Sequence, residues 1–223
     1  MKQKIIVLGG KGSAIVVADQ IFDAQNIGGD VEFLGFAFDD LSMGDEIAGF
    51  PILGGTREIF SKYSSYGDVK FIFQLYRPDL MKERIDLLTS FNIPGERFAT
   101  FIHPSVMISR NAQISKGTAI MANCVINSNV MIGKHCTIHS NSLIGHDTVM
   151  GDYNFIAAHN VIGSNNRIGN ANFFGLNSTF NNYLTIDDGT FVAMASNVVK
   201  SIESGTKVMG NPAKPFFSSL KPL

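Results

Sequence analysis

From residue 108 to residue 203 the chain repeats every six residues without an insertion. The leading places are Ile108, Ile114, Ile120, Ile126, Ile132, Ile138, Ile144, Met150, Ile156, Ile162, Ile168, Phe174, Phe180, Ile186, Val192 and Val198, all sizeable apolar side chains. The second place is often glycine (Gly133, Gly145, Gly151, Gly163, Gly169, Gly175), and the fifth is usually small or compact (Thr118, Cys124, Cys136, Ser142, Thr148). A six-residue apolar period is neither helical spacing nor strand alternation. It fits a chain that makes a short strand, turns a corner and repeats, so that three hexapeptides close one triangular coil of about 18 residues. Each leading side chain then points into the prism and stacks on its counterpart one coil on, about 4.8 Å away, the spacing of hydrogen-bonded strands. Glycine suits the corners, where a Cβ clashes or φ turns positive. One hexapeptide cannot bury its Ile, whereas stacked coils bury a continuous column.

The first hundred residues follow another pattern. Lys4-Ile5-Ile6-Val7-Leu8 reads as a strand, Gly9-Gly10-Lys11-Gly12-Ser13-Ala14 as a glycine turn, and residues 15–24 as a helix with one apolar face. Strand, glycine turn and helix open a βαβ unit, in which the turn admits a phosphate and the helix N-terminus offers it free N–H groups. The same glycines also suit a tight turn with no ligand, and the spacing is not the full G-x-G-x-x-G, since Ile15 stands at its third glycine. A second strand over residues 31–38 ends in Asp39-Asp40, where a ribose hydroxyl is met in such units. A strand over residues 69–74, a helix from about Pro78 to Phe91 and a strand over residues 98–102 complete the unit. This alternation predicts a small parallel sheet flanked by helices, a Rossmann-like α/β domain over residues 1–102, followed by an all-β helix domain with a C-terminal tail over residues 103–223.

With 223 residues the chain has room for two compact units, and a net charge of −1 gives no basic footprint for nucleic acid. No apolar run has the length of a membrane span and the N-terminus lacks signal-peptide architecture, so a cytoplasmic protein that engages no membrane is expected. Cys124 and Cys136 both fall at the fifth place of a hexapeptide and read as core fillers.

Of the five histidines, only His146 is followed by a carboxylate, Asp147. It holds the third place of its hexapeptide, a corner, where the imidazole faces outward. An adjacent carboxylate fixes the tautomer and stabilises the imidazolium, as a general base requires; the same pair is also an ordinary solvated surface feature. No histidine stacks on another one coil away, so three ligands do not converge on a metal within one prism, and only a subunit boundary could bring them together. His159 falls in register with Asn141 and Asn177, and Asn165, Asn166, Asn170, Asn172, Asn181 and Asn182 read as corner residues, since Asn tolerates left-handed backbone.

The hexapeptide register resembles that of the left-handed parallel β-helix acyltransferases. Both parts in this order resemble the sugar N-acetyltransferase and sialic acid O-acetyltransferase family of bacterial surface-glycan synthesis. The resemblance rests on Gly9-Gly10-Lys11-Gly12, Asp39-Asp40, Ile102-His103-Pro104-Ser105, Gly145-His146-Asp147 and Val208-Met209-Gly210-Asn211-Pro212-Ala213-Lys214. It implies an acetyl-CoA-dependent N-acetyltransferase acting on a nucleotide-linked amino sugar, with no metal, in a homotrimer whose site lies between subunits. It implies that His146 is the general base and that Asp147 orients it. It implies a sugar-nucleotide site at Gly10, Lys11, Gly12, Ser13, Asp39 and Asp40, and CoA contacts at Phe155, Gly175, Leu176, Ala193 and Met194; His139 and Arg77 join the substrate candidates on their own account, Arg77 as a phosphate partner or equally as a solvated loop charge. The chain departs from the family pattern at Ser13 and Phe155, where histidines are common, at Gly145 and His139, and at Leu75-Tyr76-Arg77, where a glycine is usual. Sugar O-acetylation, a non-catalytic nucleotide-sugar-binding module and a metal-dependent β-helix hydratase are the alternative expectations.

Overall fold

The computed structural model describes residues 2–216; the end of the expected C-terminal tail, residues 217–223, lies outside the described residues. The first part comprises β1 (Gln3–Leu8), α1 (Ser13–Asn26), β2 (Val31–Ala37), β3 (Glu46–Ile47), β4 (Phe50–Gly54), α2 (Ile59–Lys62), β5 (Val69–Phe73) and α3 (Met81–Ser90). They build one sheet of order β3-β4-β2-β1-β5. β1 lies parallel to β2 and β5, β2 is parallel to β4, and β3–β4 is an antiparallel hairpin. Residues 5–8 are fully buried because both faces of β1 are covered. Ala14, Val17, Ala18 and Ile21 of α1 pack on Ile5 and Val7; Phe71, Phe73, Leu88 and Phe91 pack with Ile6 and Leu8. A parallel strand covered on both faces reads as an unbroken apolar run. The hairpin and α2 give no such signal: Pro51 and the glycines around it interrupt any alternation.

Residues 98–102 are shared between the two parts. Phe98 bridges Phe71 at the sheet edge and Ala99 N donates to Phe71 O at 2.9 Å, while Phe101–Ile102 already pairs with Ala119–Ile120. The coil therefore starts one hexapeptide ahead of Ile108. From there the chain is a parallel β-helix of three sheets, each two-residue strand pairing with the strand eighteen residues on, as Val125–Ile126 does with Leu143–Ile144. The first face carries Phe101, Ala119, Thr137, Phe155, Phe173, Phe191 and Lys207; the second carries Met107, Val125, Leu143, Val161, Thr179 and Asn197; the third carries Gln113, Met131, Val149, Arg167 and Thr185. The leading residues from Ile120 onward form one interior column. After Val198 the coil tightens by two residues: Ile202 bridges Ile186, and Val208 pairs with Val192. Lys214–Pro215 then pairs antiparallel with residues 208–209 and closes the end of the first sheet.

One corner expectation is narrowed and another corrected. The second-place glycines answer to close approach and not to positive φ: a Cβ on Gly145 would stand 2.5 Å from Gly163 C of the next coil. The left-handed backbone falls at the fourth place instead, at Asn129, Asn141, Asp147, His159 and Asn165 among others. Asn166 and Asn172 are not corner residues. With Asn154 and Asn160 they occupy the fifth place inside the prism, where they are buried. There an amide satisfies corner carbonyls, as Asn160 Nδ2 does by donating to Ala157 O (2.7 Å) and Gly175 O (2.9 Å). Cys124 and Cys136 are free and buried at the same place.

The first part docks on the lower first face. Ala119 and Met121 join the apolar cluster of α1. Ala122 N donates to Gln20 Oε1 (2.9 Å), His103 Nε2 lies 3.0 Å from Asp23 Oδ2, and Tyr76 O–H donates to His135 O (2.6 Å).

Candidate active site

The turn after β1 leaves the first amides of α1 without a side-chain cap, Gly12 holding φ 54° at the N-cap. Gly10 is glycine for a packing reason: a Cβ there would lie 2.6 Å from the Phe38 ring and from Ile47. Lys11 Nζ reaches Asp40 Oδ2 at 2.7 Å. That bond, with those from Ser42, lowers the Asp40 carboxyl to about 2. Asp39 is spent locally, Oδ1 accepting from Thr56 N (2.8 Å) and Oδ2 from Thr56 Oγ1 (2.6 Å). Arg77 is also held nearby, in a two-point bond to Asp79 at 3.1 and 2.7 Å.

Two residues past Lys11, Ser13 faces a groove of about 410 Å³ between α1 and the prism. Its wall includes Val16, Tyr76, His139, Phe155, Phe173 and Leu176. Ser13 Oγ donates to Gln74 Oε1 (2.9 Å) and lies 3.0 Å from His139 Nε2; Gln74 Nε2 donates to Thr137 Oγ1 (2.8 Å). Burial pushes His139 down to about 4. Above it the outward aromatics of the first face stack, Phe155 on Phe173 at 5.1 Å and Phe173 on Phe191 at 5.3 Å. Gly175 and Leu176, and one coil further Ala193 and Met194, run up the edge between the first and second faces, with Leu176 and Met194 exposed.

His146 and Asp147 stand on a different edge, between the second and third faces. His146 Nδ1 lies 2.7 Å from Asp147 Oδ2, and Asn129 Nδ2 donates to Asp147 Oδ1 (2.8 Å). These two bonds, the histidine's first, hold the Asp147 carboxyl below its usual range. The side chains are 55% and 44% exposed. One copy thus brings together Ser13, His139, Phe155 and Leu176, and does not bring His146 to them. Val16, Tyr76 and Phe173 in the groove wall, and Gln74 and Thr137 behind it, are residues that spacing did not single out. Two of them left a trace: Gln74 is a polar residue closing an apolar strand, and Phe155, Phe173 and Phe191 repeat at the same outward place. Another hollow, of about 440 Å³ on the third face by Arg167 and Asp188, holds none of the candidates. Among the described residues no group of three or more His, Cys, Asp or Glu is placed to hold a metal ion, and no helix is long and apolar enough to cross a membrane.

Residues 101–207 match the model of the GMPPB C-terminal domain. No curated protein matches the chain. Among solved structures, the acetyltransferase domain of PglB from Neisseria gonorrhoeae is 22% identical, with a TM-score of 0.80 over 96% of this chain and 100% of that one. The same domain is known in complex with acetyl coenzyme A. A mutant of perosamine N-acetyltransferase from Caulobacter crescentus, in complex with CoA and GDP-perosamine, is 21% identical, with a TM-score of 0.81 over 96% of this chain and 97% of that one. WeeI from Acinetobacter baumannii is 21% identical, with a TM-score of 0.63 over 95% and 99%.

The chain shares their fold, with its left-handed β-helix.

Proposed function

We propose that the chain is an acetyl-CoA-dependent N-acetyltransferase acting on the amino group of a nucleotide-linked amino sugar. The observation that carries this is the exposed imidazole of His146, fixed through Nδ1 by Asp147, on a prism of the same fold as perosamine N-acetyltransferase. Residues 1–102 act as a Rossmann-like nucleotide-sugar domain and residues 103–223 as the acyltransferase domain. The phosphates take the open amides of the glycine turn at Gly10, Lys11, Gly12 and Ser13, and Lys11 neutralises them. Asp40 meets the ribose. Asp39 braces the turn through Thr56, and Arg77 remains the second cation near the turn. The acyl donor runs along the edge formed by Phe155, Gly175, Leu176, Ala193 and Met194.

The two edges that carry the candidates flank the second face. The first four residues of its outward row, Met107, Val125, Leu143 and Val161, are apolar, with Met107 and Val161 exposed; Thr179 and Asn197 continue the row. Contiguous exposed apolar surface of this kind is covered in assemblies. A heterologous contact repeated about a threefold axis closes a ring and brings the groove edge of one copy to the His146 edge of the next. In that composite site the sugar amine attacks the thioester carbonyl. The C–N bond forms, the C–S bond breaks, the CoA thiolate leaves, and the amine proton passes to His146 Nε2, Asp147 stabilising the imidazolium. The reaction is taken to run in the cytoplasm, as a step in the synthesis of a surface glycan. Thiol release from acetyl-CoA against a panel of UDP-, dTDP- and GDP-linked amino sugars tests the reading. Release with at least one amino sugar, and none with its deaminated analogue, is expected; no release with any member of the panel overturns it.

A further inference from the structure

One partly buried chain of hydrogen bonds takes no part in the proton transfer to His146. Gln74 leaves the end of β5 and is 4% exposed. Its Nε2 donates to Thr137 Oγ1, and its Oε1 accepts the hydroxyl hydrogen of Ser13. A hydroxyl has one hydrogen to give. Ser13 gives it to Gln74, so across the 3.0 Å contact with His139 the ring nitrogen Nε2 must be the donor. The proton of His139 is thereby placed on Nε2, and Nδ1 is left as a bare lone pair with no partner among the described residues.

The surroundings make that lone pair conspicuous. Val16, Phe155, Ala157, Ala158, Phe173 and Leu176 line the groove with side chains that cannot form hydrogen bonds. The Tyr76 hydroxyl is committed to His135 O. A molecule in this groove therefore meets a mostly apolar wall with a bare ring nitrogen beside the remaining lone pair of the Ser13 hydroxyl.

We propose that His139 Nδ1 receives an N–H of the acceptor sugar's amine, and that Ser13, Gln74 and Thr137 act as positioning residues by fixing the tautomer that leaves this nitrogen bare. The proposal rests on the acetyltransferase reading for the identity of the amine. Burial keeps the ring neutral at physiological pH, so the lone pair stays available; the same burial makes it a weak base. His139 accordingly holds and aims the amine, and the proton leaves to the exposed His146 of a neighbouring copy.

Nitrogen NMR of the full-length protein with ¹⁵N-labelled histidine reads the tautomer without any substrate. At pH 7 the His139 signals are expected to show a protonated Nε2 and a bare Nδ1, and S13A and Q74M are each expected to give mixed tautomers. In thiol-release kinetics both variants are expected to raise KM for the amino sugar up to about tenfold, the upper end of one neutral hydrogen bond, with KM for acetyl-CoA unchanged. S13T, which keeps the hydroxyl, is expected to restore the wild-type value. Should Q74M fail to fold, S13A at the open end of α1 carries the test alone. A protonated Nδ1 in the wild type, or an unchanged tautomer and KM in S13A, overturns the proposal. A fixed tautomer in a protein that releases no thiol with any sugar overturns the acetyltransferase reading and the role of the lone pair, while the tautomer assignment stands.

Discussion

Lys11 Nζ stands 2.7 Å from Asp40 Oδ2, bridging the glycine turn and the end of β2 where a sugar nucleotide is proposed to lie. Lys11 is exposed and Asp40 half-buried at the surface, and a surface ion pair adds little stability. The pair serves instead as two ready contacts of opposite sign. A phosphate draws Lys11 away, and Asp40 is freed to accept ribose hydroxyls. K11A and D40N are therefore expected to weaken nucleotide-sugar binding about tenfold each, as loss of one charge-assisted bond does, while the melting temperature stays within about 1 °C of wild type. Titration calorimetry beside a thermal melt checks this. A lowered melting temperature with unchanged affinity would make the pair structural.

His146 has one nitrogen tied to Asp147 and the other uncommitted, the arrangement of a base whose tautomer is set from behind. Removal of a general base costs typically 10²–10⁴-fold in rate. H146A is expected to lose turnover by about that factor while still binding acetyl-CoA, since the proposed donor edge lies elsewhere on the prism. D147N keeps the shape and loses the charge, and is expected to fall about tenfold in kcat with little change in KM. Full turnover in H146A would remove the base from this corner.

The prism was legible in the sequence because its physics is local and repeated. Each hexapeptide declares its own interior residue, and the register from Ile108 to Val198 survives unchanged in the structure. His146 was legible for the same reason: the repeat places it at a corner and Asp147 follows it. What did not show was whatever depends on where the two parts touch. Nothing in the spacing of Ser13 and His139, or of Gln74 and Thr137, announces that they meet, because that contact is set by how α1 and β5 dock on the first face. Asn154 and Asn160 were hidden differently. An asparagine in an apolar-looking repeat reads as a turn residue, and only the closed coil reveals carbonyls that need an interior amide.

That interior amide can be tested. Asn160 Nδ2 bonds the carbonyls of Ala157 and Gly175, in successive coils, and both carbonyls face the dry prism. N160A takes the side-chain donor from Gly175 O and leaves Ala157 O only the Ser142 hydroxyl at 3.3 Å, at about 1–3 kcal/mol for each buried group left unsatisfied. N160D is expected to be worse, because it places an acceptor against two acceptors and buries a charge. Chemical denaturation should show a loss of roughly 2–5 kcal/mol for N160A. A loss below about 0.5 kcal/mol, the range of surface substitutions, would mean that the carbonyls find other donors.

Two buried rings give the fold an acid limit. His135 is packed between Phe98, edge-on at 4.5 Å, and Tyr153, stacked at 5.5 Å, with its Nδ1 unpartnered. Burial lowers it to about 4, partly offset by Asp152 and reinforced by Lys134. His139, against Ser13 and Phe155, is lowered to about 4 by burial alone. An unfolded histidine titrates near 6.5. Between these values the unfolded chain binds protons that the folded chain refuses, so stability is present in full above pH 6.5 and declines as pH falls toward 4. At about 1.4 kcal/mol per tenfold change in proton affinity, each ring accounts for on the order of 3 kcal/mol across that window. Both rings sit where the first part docks on the β-helix, one under Tyr76 and one beside Ser13. H135F keeps an aromatic ring between Phe98 and Tyr153 and cannot take up the proton. Urea midpoints measured from pH 7 to pH 4 should fall steeply in the wild type and about half as steeply in H135F. Equal slopes in the two proteins would show that His135 is not titrating with unfolding.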